Sequence, residues 1–313
     1  MKYEQWLKNP TRFVAMTGYL PERFYELLPF FKEAHDEYLS KYQMNGKLRK
    51  GIRKFILYAN SPLPCIEERL AFMLSYLKLN PLQEQHADTF DMQQKQCNAY
   101  VHGLKTILDK ALHLACAVPA QSDEALQSQL CAISLPAPQS VNLLHDGVER
   151  AIPRPVDEQS QHENYSGKKK RHTVKNALIS TMLCLILFVS ATVAGSLHDK
   201  KIAEQHYRIP KGFTLWQDSG YQGYKPEGVD VRQPAKKPRT RELSREQKER
   251  NRFIASFRVR VEHAICSVKR YRIVKEQCRL RKNGFVDKVF LSCAALHNFR
   301  ILNQPFNYKI KMT

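Results

Sequence analysis

A run of 22 residues without a charged side chain lies in the second half of the chain. It extends from Asn176 to Leu197 and reads NALISTMLCLILFVSATVAGSL. As a helix this run is long enough to span a bilayer. Its β-branched residues, its Ser and Thr residues and the basic residues on one flank also fit two buried strands joined by a tight turn. We expect the two strands, because the flanking sequence is polar and strongly basic.

The positive charge is concentrated in the same half of the chain. Of the formal net charge of +20, residues 1–145 contribute +2 (16 basic and 14 acidic side chains) and residues 146–313 contribute +18 (34 and 16). Such a charge attracts polyanions, most simply nucleic acid, and makes binding weaken with salt. The alternative is a basic protein whose charge only keeps it in solution.

The cysteines argue against a zinc site. Eight are present without any CxxC pair, which favours reduced thiols inside a cell. The first residues, MKYEQWLKNPTRF, lack the apolar segment of a secretory signal. We therefore expect a cytoplasmic protein with no membrane partner.

Residues 1–114 read as an all-α region. The apolar spacing predicts one helix from Pro21 to Tyr42, which Pro29 should kink or divide. It predicts another helix from Cys65 to Leu79, followed by a short segment, LQEQHADTF. A longer helix then begins at Asp91, which stands three residues before Gln94 in a pattern similar to a capping box. This order is typical of a helix-turn-helix DNA-binding domain, over about 65–112.

The first turns of the last of these helices carry side chains suited to base edges. They are Gln93, Gln94, Lys95 and Asn98. An ordinary three-helix packing unit explains the apolar pattern equally well, so the pattern alone leaves both alternatives open.

The second half predicts an α/β fold, a mixed sheet flanked by helices, over residues 141–303. Residues 115–140 are rich in Ala, Ser, Gln and Pro and read as a linker, and 304–313 as a tail. Strand patterns occur at VNLLHD, HTVKNALIS, LILFVSATV and FTLWQD, and helical patterns at Lys200 to Tyr207, Arg245 to Lys269 and Phe285 to Leu302.

Two aspartates close apolar strand patterns. Asp146 ends VNLLHD and Asp218 ends FTLWQD, and each stands before a turn-forming residue. Side chains at the carboxyl end of strands face ligand-binding crevices in open α/β sheets. Either acid taken singly also fits ordinary turn chemistry. A third acid, Asp199, reads as the N-terminal cap of the next helix.

Glu262 stands in a strongly basic helix, FRVRVEHAICSVKRYR. Ser244 and Gln247 form a capping box, so the helix begins near Arg245. At about 100° per residue, Arg258, Glu262 and Lys269 lie together at the border of the apolar face. Glu262 either pairs with Arg258 in the helix or binds a metal ion beside DNA. Two divalent ions bound by Asp146, Asp218 and Glu262 would suit phosphodiester chemistry.

A basic loop, YSGKKKRH, contributes Lys168, Lys169, Lys170 and Arg171. It fits a hairpin edge that contacts phosphates, although a solvated loop or a nuclear-import patch has the same composition.

These residues resemble the DDE-superfamily transposases of bacterial insertion sequences, in the insertion sequence five group. The likeness rests on LKLNPLQEQHADTFDM, DGVERAIPRP, YSGKKKRHTVKN, GSLHD, DSGYQG and RVRVEHAICSVKR, in the family's order over about residues 65–300. It implies a ribonuclease H-like catalytic domain after a helix-turn-helix, with Asp146, Asp218 and Glu262 as the catalytic triad. It also implies that Arg258 and Lys269 belong to the family's Arg–Glu–Lys signature and that Asp199 lies outside the triad.

The resemblance implies a function as well. A DNA transposase of this family, located at the bacterial nucleoid, uses two Mg²⁺ or Mn²⁺ ions to hydrolyse the element's 3′ ends and to join them to target DNA. Its partners are double-stranded element ends and target, and assembly of two ends suggests more than one protomer on DNA. Ala255, Val148 and Ala194 depart from the family pattern. The alternative is a degenerate or host-adopted DNA-binding protein of the same fold, either an endonuclease without strand transfer or an inactive regulator.

Overall fold

The computed structural model describes residues 1–50, 55–133, 141–238, 240–280 and 284–303. The chain divides into two compact units. The helical unit comprises Met1–Val118 and Lys269–Glu276, and the α/β unit comprises Pro119–Val268 and Gln277–Thr313. The expected tail, 304–313, and part of the expected linker, 134–140, lie outside the described residues.

Helices make up the first part of the described chain, and the strands of the sheet begin at Asn142. The helices are α1 Lys2–Leu7, α2 Pro10–Thr17, α3 Pro21–Lys41, α4 Ile66–Leu79, α5 Gln83–Thr89, α6 Gln94–Leu114, α7 Asp123–Ile133, α8 Glu158–Asn164, α9 Asp199–His206, α10 Arg245–Val268, α11 Arg272–Lys275 and α12 Phe285–Asn303. The strands are β1 Asn142–Ala151, β2 Tyr165–Ser166, β3 Arg171–Thr181, β4 Ile186–Val189, β5 Val193–Ala194, β6 Thr214–Gln217 and β7 Asp230–Arg232.

The helical unit is organised around α3, α4 and α6. α4 is buried along most of its length, and α3 buries the apolar stripe that the sequence predicts, including Phe24, Leu27 and Phe31. α3 is not divided at Pro29, which lies inside it. The lost backbone hydrogen bond costs about 3 kcal/mol, and the buried side chains on both sides of Pro29 offset that cost.

The α/β unit contains a mixed sheet in the order β2-β3-β1-β6-β7. β1 pairs with β3 antiparallel and with β6 parallel, and β6 pairs with β7 parallel. Residues of α7 and α9 share a core with Leu143 and Leu215 on one face. α10 packs on the other face, where Phe257 stacks on Trp216. The prediction of a mixed sheet flanked by helices is confirmed.

The uncharged run forms strands, as expected. It lies in β3, β4 and β5, and β4 and β5 both pair with β3. Among the described helices, none is both long enough and apolar enough to cross a membrane.

The expected linker differs from the structure. Its central part forms α7, whose Leu126 and Leu130 are buried in the core of the α/β unit. Ala120 also forms backbone hydrogen bonds with Leu187 and Val189 of β4. The periodicity of α7 is weak, and its helix is stabilised by this packing on the sheet.

Candidate active site and DNA-contact residues

Asp146 and Asp218 are neighbours because of strand register. β1 and β6 pair in parallel from Asn142 opposite Thr214 to His145 opposite Gln217, and each aspartate follows directly. β1 itself does not end at Asp146, as the sequence predicts, but continues to Ala151. Continuous antiparallel pairing with β3 carries the strand through Gly147.

The side chain of Arg258 faces both aspartates. Its Nη2 atom lies 3.8 Å from Oδ2 of Asp146 and 3.6 Å from Oδ2 of Asp218. The neighbouring Phe257 stacks on Trp216 with 4.5 Å between ring centroids. Trp216 lies two residues before Asp218, which follows the strand with an extended backbone, so both side chains project toward the same face of the sheet. This stacking aligns α10 so that Arg258 reaches the aspartates.

Glu262 lies one helical turn after Arg258 and is exposed. Within the described residues the ion pairs of Arg258 are with Asp146 and Asp218 and not with Glu262. The interpretation of Glu262 as a helical ion-pair partner is therefore wrong. Its negative charge is one cause of the raised pKa of Asp146. The three acids share one electrostatic neighbourhood, with Glu262 on its solvent side.

Burial raises the pKa of the Asp146 carboxyl from 3.8 to about 6. The charges of Asp218 and Glu262 contribute to this same rise. The backbone N–H of Gly147, which donates to Oδ1 at 2.8 Å, and the guanidinium of Arg258 lower it. The rise in the pKa of Asp146 is therefore due mainly to burial, which disfavours the ionised carboxylate.

The carboxylate of Asp218 has two roles in the structure. One oxygen accepts a hydrogen bond from the N–H of Gly220 and caps the 3₁₀ turn Ser219–Tyr221. The other oxygen faces Arg258. Asp218 therefore caps a turn and also belongs to the acidic cluster.

Asp199 approaches the same region. It is the first residue of α9 and not its N-cap, which is His198. Its Oδ1 atom lies 3.3 Å from Nζ of Lys175. A Cβ atom at Gly147 would come within 3.3 Å of its carboxylate, and one at Gly220 within 3.2 Å. Two glycines beside the catalytic candidates therefore leave space for a fourth acid, whose position the sequence did not predict.

The helix-turn-helix candidates lie at the start of α6. Gln93, Gln94 and Lys95 are exposed and Asn98 is half-buried. The helix begins at Gln94 with Gln93 as its N-cap, so the predicted capping role of Asp91 is wrong. Asp91 has a positive φ of 52° and lies in the turn after α5.

The basic candidates occupy separate places. Lys168, Lys169 and Lys170 form the exposed turn between β2 and β3, and Arg171 begins β3. Lys269 lies one residue beyond α10 and belongs to the helical unit. It is therefore not on the stripe of α10 where its spacing placed it, because the helix ends at Val268.

Two family models match the chain. Residues 145–298 match the DDE superfamily endonuclease, and residues 61–113 match the helix-turn-helix of DDE superfamily endonuclease. The first match spans Asp146, Asp218 and Glu262, and the second spans α4, α5 and all but the last residue of α6.

The chain belongs to the DDE superfamily.

A curated relative supports this membership. The chain is 32% identical over 158 residues to a probable transposase for insertion sequence element IS702 from Microchaete diplosiphon. The matched region is 48% of this chain and 55% of the relative, so the chain spans about half the length of that protein. No solved structure matches the chain.

The acidic side chains at this site of the DDE-superfamily chain are chemically suited to bind divalent cations. Carboxylate oxygens are the ligands that Mg²⁺ prefers, and one oxygen each of Asp146 and Asp218 faces the same guanidinium nitrogen. In the part of the chain that the structure describes, no group of three or more His, Cys, Asp or Glu side chains is arranged to hold a metal ion. Nη2 of Arg258 lies within 3.8 Å of one oxygen of each aspartate, so its guanidinium is the cation that the two carboxylates face in this structure.

A buried polar cluster lies next to the two aspartates of this DDE-superfamily domain. His145 hydrogen-bonds Oε1 of Gln217 at 3.2 Å and Oη of Tyr207 at 2.5 Å. Burial lowers the pKa of His145 to about 4, so the ring is neutral near pH 7. The bond to Gln217 joins β1 and β6 one residue before each aspartate. In the sequence, a polar residue directly precedes each aspartate. This pattern alone does not predict that His145 and Gln217 form a hydrogen bond, because the bond depends on the register of β1 and β6.

Proposed function

We propose that this chain is a DNA transposase that acts with two divalent metal ions, Mg²⁺ or Mn²⁺. The observation that carries the proposal is the register of β1 and β6, which brings Asp146 and Asp218 together next to the helix that bears Glu262. The relative named as a probable transposase supports the same function. Because the matched region is about half of either chain, activity, substrate and partners remain part of this proposal.

The proposed reaction has two steps on DNA. Water attacks the phosphorus at an element end, a P–O bond forms and the bond to the 3′ oxygen breaks, so that a free 3′-hydroxyl remains. This hydroxyl then attacks a phosphorus of target DNA, and the target's own 3′ oxygen leaves with a proton. When bound, divalent ions supply an activated oxygen nucleophile and stabilise the leaving oxygen.

Each group of candidate residues has a separate role in this proposal. Asp146, Asp218 and Glu262 hold the ions. Arg258, once displaced from the aspartates, binds a phosphate oxygen, because a guanidinium suits phosphate geometry. The basic group, Lys168, Lys169, Lys170, Arg171 and Lys269, positions the DNA backbone.

The helix-turn-helix residues Gln93, Gln94, Lys95 and Asn98 would bind base edges of the element ends. Joining two ends would require more than one protomer on DNA, acting at the bacterial nucleoid in the cytoplasm.

The decisive test is nicking of a supercoiled plasmid that carries the DNA flanking the gene. We expect nicking that requires Mg²⁺ or Mn²⁺, and at least a hundredfold loss of rate in Glu262→Gln while DNA affinity stays within about threefold. Glu249→Gln is the matched control, since Glu249 is an exposed acid on the same helix and pairs with Arg245. It should nick like the wild type.

The outcomes separate the alternative functions. Nicking followed by joining of the cut ends supports a transposase, and nicking without joining supports an endonuclease of the same fold. Wild-type protein that binds DNA and never nicks with either ion would leave only an inactive DNA-binding protein.

A further inference from the structure

Three side-chain amides meet across the turn between α5 and α6. Nε2 of Gln94 donates to Oε1 of Gln83 at 3.0 Å, and Nδ2 of Asn98 donates to the same oxygen at 3.1 Å. Gln94 and Asn98 lie one helical turn apart, so they share a face of α6. Gln83 is the first residue of α5 and is half-buried. One residue outside α6 therefore fixes the orientation of two residues at the start of α6.

The bonds to Gln83 determine which atoms Gln94 presents to a ligand. An amide has a carbonyl acceptor and two N–H donors. Gln94 directs its nitrogen toward Gln83, which leaves its carbonyl oxygen and a second N–H available. That acceptor and donor match the N6 amino group and N7 of adenine in the major groove. Without Gln83, the flexible side chain of Gln94 would become ordered only when DNA binds. The loss of its rotamer freedom would then oppose DNA binding.

The hydrogen bonding of Gln83 itself argues against a purely structural role. Its Nε2 atom is buried and has no hydrogen-bond partner among the residues that the structure describes. An unpaired buried donor is unfavourable, and an apolar side chain of similar shape at such a position is often neutral or stabilising. The amide of Gln83 is therefore better explained by the two hydrogen bonds that its oxygen accepts than by a contribution to folding stability.

We propose that Gln83 is a positioning residue for base reading, which holds Gln94 and Asn98 so that the start of α6 recognises adenine in A·T pairs. This inference rests on the proposed function, in which α6 enters the major groove of the element ends. Gln83 acts through the other two amides and itself contacts no base.

The test begins with the full-length wild type, which selects its binding site from a random pool of duplex DNA. Dissociation constants are then measured for the selected site, for copies with single A·T pairs changed to G·C, and for copies with 7-deazaadenine, which lacks the N7 acceptor. We expect at least one A·T pair whose replacement weakens wild-type binding about tenfold or more. The 7-deazaadenine substitution at that pair should also weaken binding.

Gln83→Met should reduce this discrimination to less than about threefold and leave affinity for unrelated DNA within twofold. Its thermal unfolding midpoint should equal or exceed that of the wild type. Gln96→Met is the matched control, because Gln96 is exposed on α6 and points away from Gln94. It should discriminate like the wild type.

A second variant guards against a folding defect. Gln83→Glu keeps an acceptor for Gln94 and Asn98, so it should retain the A·T preference although its added negative charge lowers overall DNA affinity. Full discrimination by Gln83→Met, or a selected site with no sensitive A·T pair, would overturn the role of Gln83 alone. A wild type that selects no sequence would overturn both this inference and the proposed recognition of element ends.

Discussion

At the scale of single residues, burial of the Asp146 carboxyl opposes folding once the group is ionised. Burial holds the pKa of Asp146 at about 6 against 3.8 for the ordinary group. As pH rises from about 4 to about 6, the unfolded chain releases this proton before the folded chain does, so folding stability falls. The difference approaches about 3 kcal/mol above pH 6.

Asp146→Asn is therefore expected to stabilise the metal-free protein, by up to about 3 kcal/mol at pH 7.5. The gain should shrink toward zero as pH falls to about 4, because the wild-type carboxyl is then protonated in both states. Urea unfolding in the presence of EDTA at several pH values measures this difference.

Asp230→Asn is the control for that experiment. Asp230 is exposed and pairs with Arg232, and such surface pairs contribute only about 0–1 kcal/mol. If Asp146→Asn instead lowers stability at pH 7.5, the attraction of Arg258 outweighs the burial of the carboxylate.

At the scale of elements, the hairpin of β2 and β3 presents its lysines in a defined turn. The N–H of Lys169 donates to Oγ of Ser166 at 3.2 Å, and the N–H of Lys170 donates to the Ser166 carbonyl at 2.7 Å. The three lysines are exposed. An ordered, exposed basic turn suits contact with the DNA backbone better than a disordered charge run does.

Replacing both Lys168 and Lys169 by alanine is expected to weaken binding to all DNA sequences alike. If each lysine contacts one phosphate, the slope of log affinity against log salt should decrease in magnitude by about 2. Fluorescence anisotropy over a series of KCl concentrations measures the slope. Lys211→Ala is the control, since Lys211 is exposed in the same unit and already pairs with Glu227; an equal change in this variant would make the hairpin effect non-specific.

At the scale of the whole molecule, the helical unit is built from two separate parts of the chain. The segment 269–276 contributes α11, which packs on α4. Nζ of Lys78 donates to the carbonyl of Arg270 at 3.0 Å, and Tyr271, which is 5% exposed, lies against Gly18. A fragment that ends at Val118 lacks these contacts.

We expect a fragment of residues 1–118 to gain several degrees in its unfolding midpoint when residues 268–277 are joined to it by a flexible linker. Tyr271→Ala in the joined fragment should remove most of this gain, because truncation of a buried aromatic residue costs about 3–5 kcal/mol. Circular dichroism during heating measures the midpoints. Equal midpoints for the two fragments would mean that α11 does not stabilise the helical unit.

The features that depend on near neighbours along the chain could be predicted without the structure. The apolar periodicity gave α3, α4 and α6, and the Ser244–Gln247 capping box, whose two hydrogen bonds are present in the structure, placed the start of α10 at Arg245. The apolar pattern before Asp146 and Asp218 indicated strands. These features follow from side chains within a few residues of one another, so a single chain is sufficient to predict them.

The features that depend on residues far apart in the chain became visible only in the folded protein. The register of β1 and β6 brings Asp146 beside Asp218, which lies 72 positions later in the chain. Packing on the sheet makes a helix of the expected linker, and packing on α4 assigns 269–276 to the helical unit. The direction of Arg258 and the bond from Gln94 to Gln83 likewise depend on how elements dock. Backbone pairing and side-chain packing between distant segments are collective, so no local pattern specifies them.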